Sequence, residues 1–199
     1  MRGYAADPVR GAGWFSGQPR AGNAGRLARL FDVAADDVLN LRDGPSADAA
    51  IIGAFQPDRV DIEVVRPNDD ESWGLVNLPE TTAWVAMRYL ARQPGQWQGA
   101  FPDLASCSGT EPFWTLDIDG DMARWITPES DITGSVQRRL ASAARRDRHG
   151  LVAVIDDAPL SGIIAARQCS DGMSDREYGL SLDAIFGEQV LSGCCTLAP

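Results

Sequence analysis

The chain has 199 residues, 44% hydrophobic and 23% charged, with a net charge of −10; this is the composition of one or two ordinary globular domains and excludes a broadly basic nucleic-acid binder. All 18 basic residues are Arg, and the single histidine is His149. Without Lys there is no Schiff-base, P-loop-lysine or Ser–Lys chemistry, and one His cannot build a two-His metal site. No run approaches the roughly 18 apolar residues of a membrane-spanning helix, so binding, or catalysis by carboxylates, thiols or hydroxyls, remains.

Residues 1–30 carry five Arg against one Asp, are rich in Gly and show no sustained apolar period. They read as a basic flexible arm that adds little to the fold. An apolar stretch of about 7–15 residues, as a signal peptide requires, is missing, so the sequence reads as cytosolic or as beginning after a removed signal.

Residues 31–92 read as short strands between turn signals. Leu39 and Leu41 alternate onto one face before the turn Asp43-Gly44-Pro45-Ser46. Ile51 to Phe55 and the alternating Val60-Asp61-Ile62-Glu63-Val64 follow, then a polar loop, Trp73 to Leu78, Ala83 to Ala86, and a closing Tyr89-Leu90. Five short strands in this length form a small barrel, because closure removes exposed edges.

The string Val38-Leu39-Asn40-Leu41-Arg42-Asp43-Gly44-Pro45-Ser46 resembles the LNVRSGPS signature of bacterial SH3-like domains. Trp73 lies where that family has its dgdW, and Ala83-Trp84-Val85 with Tyr89-Leu90 is similar to its closing GWVxxxYL, with Ala83 in place of Gly. The resemblance implies an SH3-like domain over 31–92, of a kind found in extracytoplasmic modules that bind cell-wall peptides, other peptides or partner proteins. Arg42, Trp73, Trp84 and Tyr89 become candidate ligand contacts on this basis. Each also has a structural reading: the two Trp as barrel core or rim, Arg42 as a hydrogen-bond hub. Asp69-Asp70-Glu71 reads as a solvated loop tip.

Residues 93–103 read as a linker around Gln93-Pro94-Gly95-Gln96. Beyond it, Trp114 to Ile118 and Asp121 to Ile126 alternate about Asp119-Gly120, a type I′ hairpin signal that places Trp114, Leu116 and Ile118 on one face with Ala123 and Trp125. The acids there do not form an EF-hand, since the positions that need Gly and a final acid hold Met122 and Pro128. Residues 136–149 fit either a basic helix or a strand with a long loop, and His149 reads as a turn residue before Gly150. With later apolar runs to Leu197, residues 104–199 total six to eight strands, an all-β barrel or sandwich; a small antiparallel β-barrel is expected.

Cys107, Cys169, Cys194 and Cys195 show no metal-knuckle spacing, and their even number suits two disulfides in an oxidising compartment. Adjacent cysteines would close a strained ring. Cys194 and Cys195 are therefore expected to pair separately with Cys107 and Cys169, and because strand neighbours point to opposite faces, one bridge is expected to be more buried. Cys107-Ser108-Gly109-Thr110-Glu111-Pro112-Phe113-Trp114, the segment Cys169 to Tyr178 and Ser192-Gly193-Cys194-Cys195 resemble a family of uncharacterised bacterial envelope proteins and lipoproteins with the pattern CxGTEPFW, CSDGMSDxxYP and GCC, Gly179 here replacing the last Pro. Its small disulfide-linked barrel is similar to those of periplasmic lysozyme inhibitors. Glu111, Trp114, Ser170, Asp171, Ser174 and Asp175 are the candidate binding residues in these strings. No nucleophile–base–orienter set surrounds them, so neither an enzyme nor a cofactor is expected. The expected function is a periplasmic or envelope-associated binding or adaptor protein for cell-wall peptide or a protein partner. The alternative is an inhibitor of a wall hydrolase such as lysozyme.

Overall fold

The structure, a computed structural model, describes residues 25–79, 81–97 and 99–197. Alternating apolar residues and closely spaced turns produce an all-β molecule; among the described residues the only helical element is a single 3₁₀ turn. The first half contains β1 (Arg26–Leu30), β2 (Leu39–Arg42), β3 (Ile51–Phe55), β4 (Ile62–Val64), β5 (Arg66–Pro67), β6 (Trp73–Asn77), β7 (Thr82–Ala86), the 3₁₀ turn Met87–Tyr89 and β8 (Leu90–Arg92). They form a three-stranded sheet, β4-β1-β8, and a five-stranded sheet, β3-β2-β7-β6-β5. Leu39 and Leu41 do share a buried face, joining Ala28, Ile62, Val76 and Val85 in one core between the two sheets.

Part of the segment read as an arm belongs to this core. Arg26–Leu30 is the central strand of the smaller sheet, paired with β4 on one side and β8 on the other. Ala28 and Leu30 enter the first core while Leu27, on the opposite face of the strand, packs into the core of the second half. So short a strand gives too few residues for a visible period, and the glycine-rich sequence before it hides it. The rest of the arm, residues 1–24, lies outside the described residues. The linker is also packed: Gln93 N–H bonds the Leu27 carbonyl, Ala100 and Leu104 are buried, and Phe101 lies against the second core.

The second half contains β9 (Ser106–Thr110), β10 (Phe113–Asp119), β11 (Met122–Ile126), β12 (Asp131–Ala141), β13 (Arg148–Ile155), β14 (Ala158–Cys169), β15 (Tyr178–Phe186) and β16 (Gln189–Thr196). Each pairs antiparallel with the next, and β16 returns to β9, giving a closed eight-stranded barrel. Inward side chains of every second residue fill it, as expected for a barrel of this size. Leu116 faces Trp125 across the first hairpin, and the Trp114 and Trp125 rings stack 5.0 Å apart. Two expectations about turns are corrected. The hairpin loop is Gly120-Asp121 with positive φ only at Gly120, which departs from a type I′ turn, where both central residues need it. His149 lies inside β13, almost fully buried, its ring 5.5 Å from Phe101, and is not a turn residue. The ambiguous 136–149 segment is the end of β12, a short connection and the start of β13; Arg138 and Arg139 are both exposed, on opposite faces of β12, with Arg139 bonded to Asp121.

The closing ladder of the barrel is short, pairing Cys194, Cys195 and Thr196 with Ser108, Cys107 and Ser106. It is reinforced covalently at its middle, because Cys107 and Cys195 are directly opposite and disulfide-bonded. Cys169–Cys194 is the second bridge, linking β14 to β16 over the intervening β15. Both adjacent cysteines thus pair separately, as the ring-strain argument requires. Cys195 lies with Leu191 and Leu197 in the barrel core, whereas Cys169 is only half-buried. The bridges have sequence separations of 88 and 25, and loss of either is expected to cost on the order of 2–5 kcal/mol. Under graded dithiothreitol, Cys169–Cys194 is expected to open first, read by differential alkylation and peptide mass spectrometry; earlier alkylation of Cys107 and Cys195 would contradict this burial order.

Candidate binding site

The three sequence strings of the second half converge. Cys107 and Cys195, and Cys169 and Cys194, are disulfide partners, and Thr110 Oγ1 donates to the Asp171 carbonyl at 3.2 Å. The glycines of two strings serve packing: a Cβ at Gly109 or Gly193 would overlap the Trp114 indole, which is buried between them. Trp114 is therefore core, not a ligand platform.

Asp171 organises the loop between β14 and β15. Its Oδ1 accepts the amides of Met173 and Ser174, both at 3.0 Å, and its Oδ2 accepts the hydroxyls of Ser174 at 2.8 Å and Tyr178 at 3.3 Å. Ser170 Oγ accepts the Gly172 amide, and Ser174 Oγ accepts the Arg176 amide. Gly172 takes φ +71°, which most residues avoid. Burial pushes the Asp171 carboxyl up, but these four donors together hold it below its ordinary value. The loop is thus stapled by its own side chains. Beside it a shallow groove of about 160 Å³ is lined by Thr110, Arg167, Asp171 and Asp183 among others. Its charges answer one another, Arg167 donating to Ser181 and Asp183, and Ser192 donating to Asp183.

Arg42 and Trp84 also come together, in a cross-strand row that continues through Leu75 to Arg66 on the five-stranded sheet. Arg42 Nη1 donates to the Ala49 carbonyl and so ties down the β2–β3 connection. The Arg66 guanidinium lies 5.1 Å from the centre of the Trp84 ring and pairs with Glu177 at 2.9 Å, which joins this row to the Asp171 loop. Trp73 is half-buried, its amide bonded to Asn68 Oδ1, and the Tyr89 ring carries Arg88 at 4.6 Å. Glu111 and Asp175 are exposed and make no side-chain hydrogen bond or ion pair among the described residues.

A different site lies where the two halves meet. Glu63, on β4, accepts hydrogen bonds from the Thr196 hydroxyl and the Leu197 amide. Asn77 Nδ2 donates to the Glu177 carbonyl at 2.8 Å, and the Glu177 amide returns a bond to Asn77 Oδ1. Gly179 permits this approach, since a Cβ there would collide with the Gly25 nitrogen and the Val65 carbonyl. This gives a physical reason for a residue without a Cβ at this position. Against these contacts opens a cleft of about 400 Å³. Phe55, Ile62 and Leu78 give it apolar wall, while Arg59, Asp61 and Arg176 bring both signs of charge. Asp61 also accepts from Gln93 Nε2 at 2.8 Å. Arg176 Nε is buried without an acceptor among the described residues, an unmet donor at the edge of a cleft. Sequence reasoning stopped at Asp175, one residue short of Arg176, and Arg59 and Asp61 carry no local signal because the cleft they line is completed by Arg176 and Thr196, more than a hundred residues away.

No family model, curated protein or solved structure matches the chain.

Because the folded Asp171 carboxyl titrates below its unfolded value of about 3.9, its contribution is present above that value and is lost as pH falls through the folded pKa. Asp171→Asn is therefore expected to be less stable than the parent at pH 7, with a gap that closes on acidification, measured by urea unfolding from pH 7 to pH 2. A gap independent of pH would contradict the staple.

Proposed function

We propose that the chain is a non-enzymatic binding or adaptor protein of the bacterial envelope, with an SH3-like first half, and that it recognises a cell-wall peptide or an envelope protein partner. The cleft between the halves carries this reading. Cell-wall peptides are short and bear carboxylates, an ammonium group and small apolar side chains. Arg59 and Arg176 suit the carboxylates, Asp61 suits the ammonium, and Phe55, Ile62 and Leu78 suit methyl groups. The resemblance of residues 31–92 to SH3-like domains supports the same ligand class. Two disulfides support an oxidising compartment such as the periplasm.

The alternative, inhibition of a wall hydrolase such as lysozyme by loop insertion, draws on the Asp171 loop. That loop is pre-organised by its own hydrogen bonds and presents Met173 with 68% of its surface exposed, and rigid loops lose little entropy on insertion.

Titration calorimetry with a soluble disaccharide–tetrapeptide separates the two. The parent is expected to bind, and Arg59→Ala combined with Arg176→Gln to weaken binding by about tenfold or more, which corresponds to about 1.4 kcal/mol. Arg124→Ala, which removes only an exposed pair with Asp131, is expected to bind as the parent does. No binding by the parent, or equal binding by the double variant, would overturn the cleft reading, and potent lysozyme inhibition lost on mutating Met173 would favour the alternative.

A further inference from the structure

A strand at the border of a sheet carries backbone groups that its own sheet cannot satisfy, and folded chains cover or disarm such borders. Most borders of this molecule are managed. The barrel is closed and has none. β4 is buried along its length, and its Glu63 is bonded to the last strand of the barrel. β5 is two residues long, ends in a proline and is tied to the barrel through Arg66 and Glu177. β8 has three residues and runs directly into the packed linker.

β3 is the exception. It borders the five-stranded sheet and pairs only with β2, and no other backbone hydrogen bond reaches Ile51–Phe55 among the described residues. In an antiparallel ladder alternate residues turn N–H and C=O away from the partner strand, and on β3 these groups meet no strand. The run Ala49-Ala50-Ile51-Ile52-Gly53-Ala54-Phe55 has neither the charge nor the proline that disarms an edge. The register slips beside Ile52, and this bulge leaves Ile51 and Ile52 56% and 44% exposed. From Gly53 to Phe55 the ladder with Leu39–Leu41 is regular.

The flanks of the strand indicate what pairs with it. Asp43 and Asp48 border the Ile51 end, and because Leu39 lies opposite Phe55, Asp36 and Asp37 border the other end with Asp58. All five are exposed, and none is in an ion pair among the described residues. The bases nearby have other roles: Arg42 holds the Ala49 carbonyl and Arg59 lines the cleft. A second copy is a poor occupant. Antiparallel pairing of two β3 strands about Gly53 brings Asp48 of one copy to Asp58 of the other, and like charges across a ladder repel.

We propose that β3 is a docking edge for an extended segment of a partner protein, apolar in its middle and basic at its ends, which joins the five-stranded sheet as a further strand. Main-chain bonds supply the affinity of strand addition, and the flanking acids select the basic ends. Phe55 is the one β3 residue that also lines the cleft of the proposed function, and the edge does not depend on that reading.

The test uses the full chain and one probe, the capped peptide Arg-Thr-Val-Thr-Val-Thr-Arg, followed by nitrogen-15 shift mapping and amide hydrogen exchange. Shifts centred on residues 51–55 are expected, with slowed exchange of the β3 amides that face away from β2. Glutamate in place of both terminal Arg is expected to weaken binding about tenfold or more. Proline at the central Thr, which removes a donor and disfavours a strand, is expected to abolish it. Ile52→Lys, a change at an exposed position, places a charge on the edge and is expected to remove the β3 protection. No binding by the parent at millimolar peptide, equal binding of the glutamate or proline peptide, or shifts centred on Arg59, Asp61 and Arg176 would each overturn the proposal. A concentration-dependent dimer dispersed by Ile52→Lys would overturn it too, by giving the edge to a second copy.

Discussion

The Glu63 carboxylate is the interaction on which the arrangement of the molecule depends. It sits on β4 directly opposite Leu27 on β1, so the two share the face of the small sheet that meets the barrel. Leu27 enters the barrel core, and Glu63 takes hydrogen bonds from the last strand of the chain and the residue after it. A buried carboxylate needs donors to replace its lost water, and those at Glu63 Oε2 come from residues more than 130 positions away. One short sheet therefore serves two cores. Arg66, Asn77 and Glu177 extend the same junction along its flank, and the mixed-charge cleft exists because these contacts hold its two walls in register.

The barrel supplies the rigid partner for that junction. Its seam between β9 and β16 has few ladder pairs, and the Cys107–Cys195 bridge lies in the middle of it. Trp114 is housed against the same seam between two glycines. The sequence strings that look most specific are thus explained first by closure of the barrel and by the stapling of the Asp171 loop. Ligand chemistry is left to residues such as Arg59, Asp61 and Arg176, whose local surroundings look ordinary.

This division also explains what was legible beforehand. Alternation along Leu39-Asn40-Leu41 and across the Trp114–Trp125 hairpin is a local signal, and the pairing rule for Cys194 and Cys195 follows from backbone geometry alone, so all three could be read directly. β1 could not, because five residues beside a glycine-rich stretch show no period and their burial comes from two partners distant in sequence. The same holds for His149, which looks like a turn residue beside Gly150 until the pairing of β13 places it inside the barrel. Candidate site residues chosen by chemical type fared unevenly. Ser170, Asp171 and Ser174 do assemble, but chiefly to bond one another and their own loop backbone, and Trp114 is core. The cleft is a product of tertiary juxtaposition, so no window of sequence contains it.

The central claim is that the two halves are one body joined through Leu27, Glu63 and Glu177. Nitrogen-15 relaxation of backbone amides tests it most directly, because it reports how each half tumbles. A single rotational diffusion tensor fitting the amides of residues 26–92 and of residues 106–196 is the predicted result. Two tensors of different correlation time, one for each half, would show independent motion and contradict the account.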